Sequence, residues 1–143
     1  ATVQDLKAVA VWYGAPDMEV HADGPQLARN YVARSLGRVI GHGQLVHFDQ
    51  NAGPYTGFWL FSLRVRIGWR GTGVGEALAQ RCAEDGRRVG ATRIALVVHA
   101  DNAPAIALYR KLGFAVQHAP EIETAFTDDA KGGRRRIVMS RSL

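Results

Sequence analysis

The chain has 143 residues, of which 47% are hydrophobic and 22% charged, and it contains one cysteine. This length and apolar fraction predict a single globular domain over residues 1–143 with a sizeable core. One cysteine excludes an internal disulfide framework, and no apolar run approaches the roughly 18 residues of a membrane span. Because no charged-then-apolar signal segment opens the chain, we expect a soluble protein of the cytoplasm with no membrane partner.

The net charge of +5 is a local feature of the C-terminal end. Residues 130–143 carry Lys131, Arg141 and the run Arg134-Arg135-Arg136 but no acid, whereas the charges of the remaining residues balance. Such a run is typical of a solvated turn and strand start. A patch that binds anions or nucleic acid is the alternative, and we do not expect nucleic acid to be the partner.

The first half of the sequence predicts one helix followed by three strands. They are, in chain order, a helix that starts at Thr2 and ends at Gly14-Ala15-Pro16, and strands over 28–35, 38–48 and 58–67. The tight turn Leu36-Gly37 joins the first two strands, which predicts a hairpin. Aromatic and β-branched residues are frequent in the third strand, and a loop over 49–57 precedes it.

The second half alternates strands with helices. They are a helix that opens at residues 71–75 and runs to about Val89, a strand over 93–99, a helix over 103–112, and strands over 114–118 and 135–142. Asn102 is the predicted N-cap of the second helix, and Gly90 and Gly113 are expected to end the two helices. This alternation after a hairpin predicts an α/β fold with a mixed central sheet flanked by helices.

Three glycines at alternate positions, Gly71, Gly73 and Gly75, lie between a strand and a helix. They leave backbone N–H groups open at a helix N-terminus, where the dipole favours an anion such as phosphate. The P-loop and dinucleotide patterns both fail, because no Lys-Ser/Thr pair follows and Glu76 occupies the place of the third dinucleotide glycine. A tight strand-to-helix turn without a ligand is the alternative interpretation.

Two motifs resemble the GNAT superfamily of acetyl-CoA-dependent N-acetyltransferases. Arg70-x-x-Gly73-x-Gly75 is similar to the family's pyrophosphate loop, Q/R-x-x-G-x-G/A, and residues 102–114 (NAPAIALYRKLGF) are similar to its N-x-x-A-x-x-x-Y-x-x-x-G-F helix. Residues 1–6 (ATVQDL) look like the junction after the family's first strand. We therefore expect that strand to be missing before residue 1, which would leave an exposed sheet edge and favour a homodimer.

The resemblance implies a GNAT-like sheet whose central strands splay apart to form the acetyl-CoA cleft. It implies that backbone groups of Val65 and Ile67 bind the pantetheine amides and that Asn102 touches the pantetheine arm. A backbone N–H near Val65 would stabilise the oxyanion. The implied pyrophosphate residues are Arg70 at the rim and the loop Gly71, Thr72, Gly73, Val74, Gly75 and Glu76.

The resemblance makes Tyr109 the general acid that protonates the departing CoA thiolate, whereas a phenol packed in the core is the alternative. The general base stays open. The strand over 58–67 contains no acid, and Val97 stands where ribosomal-protein alanine acetyltransferases carry a glutamate. The candidates are His99 at a strand end and, in the long connection that follows residue 118, the carboxylates of Glu121 and Glu123.

The implied reaction is transfer of an acetyl group from acetyl-CoA, as co-substrate, to a primary amine by direct attack in a ternary complex. The acceptor is a small-molecule amine or a protein N-terminus. A non-catalytic acyl-CoA-binding or sensing module is the alternative. We expect no metal, because His42 and His47 are five residues apart on one strand and face opposite sides, and no Cys/His cluster has the spacing of a zinc site. Cys82 falls on the apolar side of its helix, so we do not expect it to act as a nucleophile.

Overall fold

One central sheet organises the protein, whose computed structural model describes residues 10–14, 27–123 and 135–143. The strands are β1 (Ala10–Gly14), β2 (Leu27–Ser35), β3 (Arg38–Phe48), β4 (Gly57–Val65), β5 (Arg93–His99), β6 (Ala115–Gln117) and β7 (Arg136–Ser142). The helices are α1 (Val74–Arg88), between β4 and β5, and α2 (Ala103–Lys111), between β5 and β6. Neither has the length and apolar character needed to cross a bilayer, and the described residues contain no other such helix.

The strand order is β1-β2-β3-β4-β5-β7-β6. Strands β1 to β4 are antiparallel neighbours, β4 and β5 run parallel, and β7 is antiparallel to both β5 and β6. The predicted α/β fold with a mixed central sheet flanked by helices is therefore confirmed.

The parallel strands β4 and β5 separate soon after they meet. In the described sheet they pair at two positions, Phe58 with Ile94 and Trp59 with Ala95. Just beyond, the β3–β4 register shifts, and Ser62 adopts a positive φ of 53°. An extra residue of this kind bends a strand and increases its twist. The bend turns β4 away from β5, which confirms the predicted splay of the central strands.

The two faces of the sheet carry separate apolar clusters. The larger one joins the sheet to both helices and includes Tyr31, Leu45, Leu60, Leu78, Cys82, Ile94, Leu96, Tyr109, Leu112 and Met139. The smaller one contains Val46, Trp59, Ile122 and Val138. Because neighbouring residues of a strand point to opposite faces, Trp59 and Leu60 belong to different clusters.

A buried polar contact fixes α1 on the sheet. Tyr31 of β2 donates a hydrogen bond of 2.7 Å to the Asp85 carboxylate of α1. Arg81 and Arg88, one turn to either side, lie 3.4 Å and 3.5 Å from that carboxylate. The buried charge is therefore neutralised within its own helix while it orients the phenol.

Most sequence-predicted elements match the structure within two residues. The hairpin is confirmed, and its turn residues Leu36 and Gly37 both have positive φ, as in a type I′ turn. Asn102 is confirmed as the N-cap of α2, because its side chain accepts a hydrogen bond from the Ala105 N–H. A 3₁₀ turn over Gln50–Tyr55 occupies most of the predicted loop.

The helix predicted to start at Thr2 is wrong where it can be compared. Residues 1–9 lie outside the described residues, but Ala10–Gly14 forms β1 and pairs antiparallel with β2. The β-favouring run Val11-Trp12-Tyr13 and the hydrogen bonds of the sheet outweigh the helix-start signal. β1 thus occupies the edge beside the hairpin that we expected to be vacant. The expectation of a homodimer through a vacant edge at this position is therefore wrong.

Two further expectations are corrected at element ends. The strand predicted over 58–67 ends at Val65, and Ile67 belongs to a 3₁₀ turn, Ile67–Trp69, with its side chain 79% exposed. The turn forms because the Trp69 N–H bonds to the Arg66 carbonyl at 2.8 Å instead of to a neighbouring strand. Val89, expected on the apolar face of α1, is 42% exposed because the helix ends at Arg88.

The buried thiol of Cys82 predicts alkaline loss of stability. Burial and the nearby Asp85 carboxylate raise the thiol pKa from 9.0 to about 12. The unfolded chain therefore releases this proton first as pH rises above 9, and stability falls until the folded pKa is reached. At about pH 10.5 the loss from this group is about 2 kcal/mol. Thermal unfolding from pH 8 to 10.5 should show a shallower decline for Cys82→Ala than for the parent chain, and equal declines would contradict this account.

Candidate active site

The glycine-rich loop leads directly into α1 and presents its backbone. Gly71 and Gly73 have positive φ values of 75° and 94°, and Gly73 is the N-cap residue of α1. A Cβ at Gly71 would meet no atom within 4 Å, so the loop borders open space. Since glycine brings no capping side chain, the first N–H groups of α1 remain available to an anion.

A cleft of about 850 Å³ lies between this loop and α2. Residues from β4, the loop, α1 and α2 form its walls, and those predicted to bind cofactor are Val65, Arg70, Gly71, Gly73, Gly75, Glu76 and Asn102. Three predicted residues are placed elsewhere. Ile67 lines a separate pocket with Arg38 and Arg66. Val74 is buried beneath the loop, and the Thr72 hydroxyl donates to the Trp69 carbonyl.

Charged groups at the cleft are arranged to tolerate an anion. Lys111 of α2 lies 3.0 Å from the Glu76 carboxylate in the first turn of α1, which neutralises the acid nearest to the loop. The Nε of Arg70 donates a hydrogen bond of 3.4 Å to the Val65 carbonyl. The exposed Arg70 side chain is thereby held between the end of β4 and the loop.

A second pocket, of about 400 Å³, opens where β4 and β5 diverge. It shares Leu63, Arg64, Asn102 and Ala105 with the cleft, so the two spaces adjoin. Tyr109 and His99 both line this second pocket. The arrangement can hold a long ligand along the loop and bring one end of it to a second molecule in the gap between the strands.

Tyr109 is buried in the wall of the second pocket, with 8% of its surface exposed. Its ring packs edge-on against Phe114 at 5.9 Å between centroids. Burial raises the pKa of the phenol above its ordinary value of 10.0, so the hydroxyl stays protonated at neutral pH. A protonated phenol that faces the pocket is able to donate a proton to a developing anion.

The three base candidates occupy different places, and Glu121 is exposed in a helical turn over residues 120–123. His99 ends β5, its Nδ1 atom is buried, and the residue lines the pocket with Tyr109. Glu123 lies in a helical turn over residues 120–123 and is half-buried, but it is not among the described residues that line either space. The structure therefore brings His99 together with Tyr109 and Asn102, and it places Glu123 apart from them.

Sequence reasoning missed three polar residues of the pocket, Ser62, Arg64 and Arg136. The sequence predicts Arg136 within a turn and strand start, and it does begin β7, but its position opposite His99 and at the pocket was not expected. The bulge at Ser62 has no signal in a sequence, because it depends on the register between β3 and β4. Within the described part of the chain, no three His, Cys, Asp or Glu side chains are close enough to hold a metal ion.

The fold, the glycine loop and the gap between the central strands define a coenzyme A-dependent acetyltransferase architecture. Residues 5–114 match the Acetyltransferase (GNAT) family, and the chain belongs to that family, whose co-substrate is acetyl-CoA. Among curated proteins it is 39% identical over 97 residues to a mycothiol acetyltransferase of Saccharomonospora viridis. That match includes 65% of this chain and 30% of the relative, so the chain spans less than a third of that protein.

Solved structures show the same fold. A nourseothricin acetyltransferase superposes with a TM-score of 0.69 at 31% identity, over 80% of this chain and 65% of the other. An Elizabethkingia anophelis GNAT family acetyltransferase with acetyl-CoA bound gives 0.71 at 14% identity, over 95% and 99% of the two chains. At that low identity the second match supports the fold alone.

Two glycines with a left-handed backbone conformation lie at the two ends of α1, and they allow a matched test of cofactor binding by the loop. Gly73 and Gly90 have φ values of 94° and 97°, so alanine strains the backbone similarly at both positions, by roughly 1–2 kcal/mol. Gly73→Ala is expected to weaken acetyl-CoA binding about tenfold by calorimetry, because it displaces the N–H groups of the loop. Gly90→Ala should lower the melting temperature comparably without loss of affinity. Equal affinities in both variants would show that the loop does not bind the cofactor.

Proposed function

We propose that this chain transfers the acetyl group of acetyl-CoA to a primary amine by direct attack within a ternary complex. The observation that carries this proposal is the continuity of two spaces, a phosphate-compatible cleft at the N-terminus of α1 and a pocket between the diverging strands β4 and β5. Tyr109 lines the second of these spaces. Acetyl-CoA supplies an acetyl thioester that is open to attack by an amine.

The residues of the cleft fit the cofactor. The N–H groups of Gly71 to Glu76 and the guanidinium of Arg70 offer hydrogen bonds and positive potential to the pyrophosphate. Val65 ends β4 where the partner strand has turned away, so backbone groups there can bind the pantetheine amides. Ile67 lies outside the cleft and, in this proposal, makes at most a backbone contribution.

Chemistry takes place at the gap between the strands. A backbone N–H near Val65 stabilises the negative charge that develops on the thioester carbonyl oxygen. As the amine nitrogen bonds to the carbonyl carbon, the carbon–sulfur bond breaks and the Tyr109 hydroxyl donates its proton to the sulfur. Because the phenol is protonated at neutral pH, no prior activation of Tyr109 is needed.

The acceptor amine must also lose a proton, and we assign this step to His99. An imidazole accepts a proton near neutral pH, and His99 lines the same pocket as Tyr109. Asn102 caps α2 with its side chain, which fixes the first turn of that helix beside the cofactor. Glu123 remains the second candidate base, acting through water from the connection after β6.

Two Tyr→Phe substitutions, each of which removes one hydroxyl, test whether Tyr109 is the general acid. They also separate an enzyme from a non-catalytic binding module. Tyr109→Phe should retain acetyl-CoA affinity but lower kcat roughly a hundredfold, because the thiolate leaves without a proton. Tyr31→Phe is the matched control, since it also removes one buried hydroxyl but lies at the Asp85 contact. The control should lose stability, by about 1–3 kcal/mol, and keep kcat. Unchanged turnover in Tyr109→Phe would reduce Tyr109 to a core residue, and a parent chain that binds acetyl-CoA but transfers nothing would indicate the binding module.

The base is tested by paired substitutions measured across pH. His99→Gln is expected to lower kcat/KM by roughly a hundredfold and to remove the acidic limb of its pH profile. Glu123→Gln should leave both the value and the profile within about twofold of the parent. A loss confined to Glu123→Gln would transfer the role to Glu123, and unchanged profiles in both would mean that the acceptor arrives already neutral.

A further inference from the structure

The pocket between β4 and β5 is lined by cationic side chains from both sides. Arg64 comes from β4, and Arg136 comes from the first residue of β7, opposite His99 of β5. The lining residues that the structure describes include no aspartate or glutamate. Two guanidinium groups that border one pocket offer several N–H donors to an anion, although an amine must enter the pocket as well.

These cations share one face of the sheet. Leu63 and Val65 pack against the helix-side cluster, so Arg64 between them points to the opposite face. Val98 and Ile137 also belong to the helix-side cluster, so the same alternation places their neighbours, His99 and Arg136, on the opposite face. The cofactor cleft lies on the helix side, where α1 and α2 bound it, and it adjoins this pocket at Arg64. An acceptor therefore approaches from the face that carries the arginines.

Apolar side chains complete this approach. Phe61 and Val97 line the pocket and pack against the smaller cluster on the arginine face, and the Phe61 ring stacks on Trp59 at 5.8 Å. An aromatic and aliphatic wall beside guanidinium groups suits a molecule with an apolar body and one anionic end. A polycationic acceptor would instead bring like charges together, which is unfavourable.

We propose that the acceptor is a small amine that also carries a carboxylate, as a free amino acid does, and that Arg136 with Arg64 binds this carboxylate. The planar guanidinium forms paired hydrogen bonds with a carboxylate, which fixes orientation as well as affinity. Phe61 and Val97 contact the apolar body, and the amine is directed toward His99 and the gap. This inference rests on the proposed function, because it names the acceptor of that reaction.

Matched substrates test the proposal on the intact chain. Acetyl transfer is measured with L-phenylalanine, L-leucine and L-methionine, each beside its amide and its decarboxylated amine. The acids should show kcat/KM at least tenfold above their amides. Arg136→Gln and Arg64→Gln should each lower this value for the acids roughly tenfold to a hundredfold through the KM of the acceptor, and Arg136→Gln should change the amides by less than about threefold. Arg141→Gln, on the same strand as Arg136 but outside the described pocket lining, is the control and should leave the acid-to-amide ratio unchanged.

Two results would overturn the proposal. One is a kcat/KM for the amides or decarboxylated amines equal to that for the acids. The other is a protein that binds acetyl-CoA but acetylates none of the acids. A ratio that falls equally in Arg141→Gln would show an effect of net charge instead of a carboxylate site. Failure to bind acetyl-CoA at all is a different result, because it would remove the proposed function itself.

Discussion

The separation of β4 from β5 is the constraint on which the other features of the site depend. Two parallel strands that remained paired would satisfy their backbone groups and close the sheet. Here the pairing stops after Trp59 and Ala95, and the bulge at Ser62 turns β4 aside. The backbone groups that the separation leaves open need a partner, and an extended ligand with amide groups can supply one. The gap also joins the two faces of the sheet, so a cofactor on one face can react with an acceptor on the other.

Close packing of α1 holds the glycine-rich loop at the mouth of that gap. A Cβ at Gly41 of β3 would lie 2.9 Å from the side chains of Val74 and Leu78, so glycine is what lets α1 approach the sheet there. At the other side, a Cβ at Gly75 would lie 3.3 Å from Leu108 of α2. Small residues therefore let α1 pack closely against the sheet on one side and against α2 on the other, and the Tyr31–Asp85 contact orients the far end of α1. The position of the loop follows from this packing.

Local signals in the sequence predicted the elements around the cofactor well. Glycine spacing located the loop, and Asn102 with Pro104 located the start of α2, because caps and turns depend on few neighbouring residues. Features that depend on pairing between distant segments were not predictable in this way. Ala10–Gly14 became a strand because β2 offers it a partner, and the extra residue at Ser62 follows from strand register. The strand start at Arg136 was predicted, but its place at the pocket was not, because a sequence does not show which strand will lie beside His99.

Backbone amide NMR of the labelled chain, titrated with acetyl-CoA, tests the central claim most directly. The account predicts that the largest shift changes fall on residues 70–76 and on the end of β4 near Val65, with smaller changes at Asn102 and Tyr109. It predicts little change at the remote end of α1, including Gly90. Saturating acetyl-CoA without shift changes at the loop, or with changes confined to the separate pocket of Arg38 and Arg66, would contradict the claim that the gap between β4 and β5 is the cofactor site.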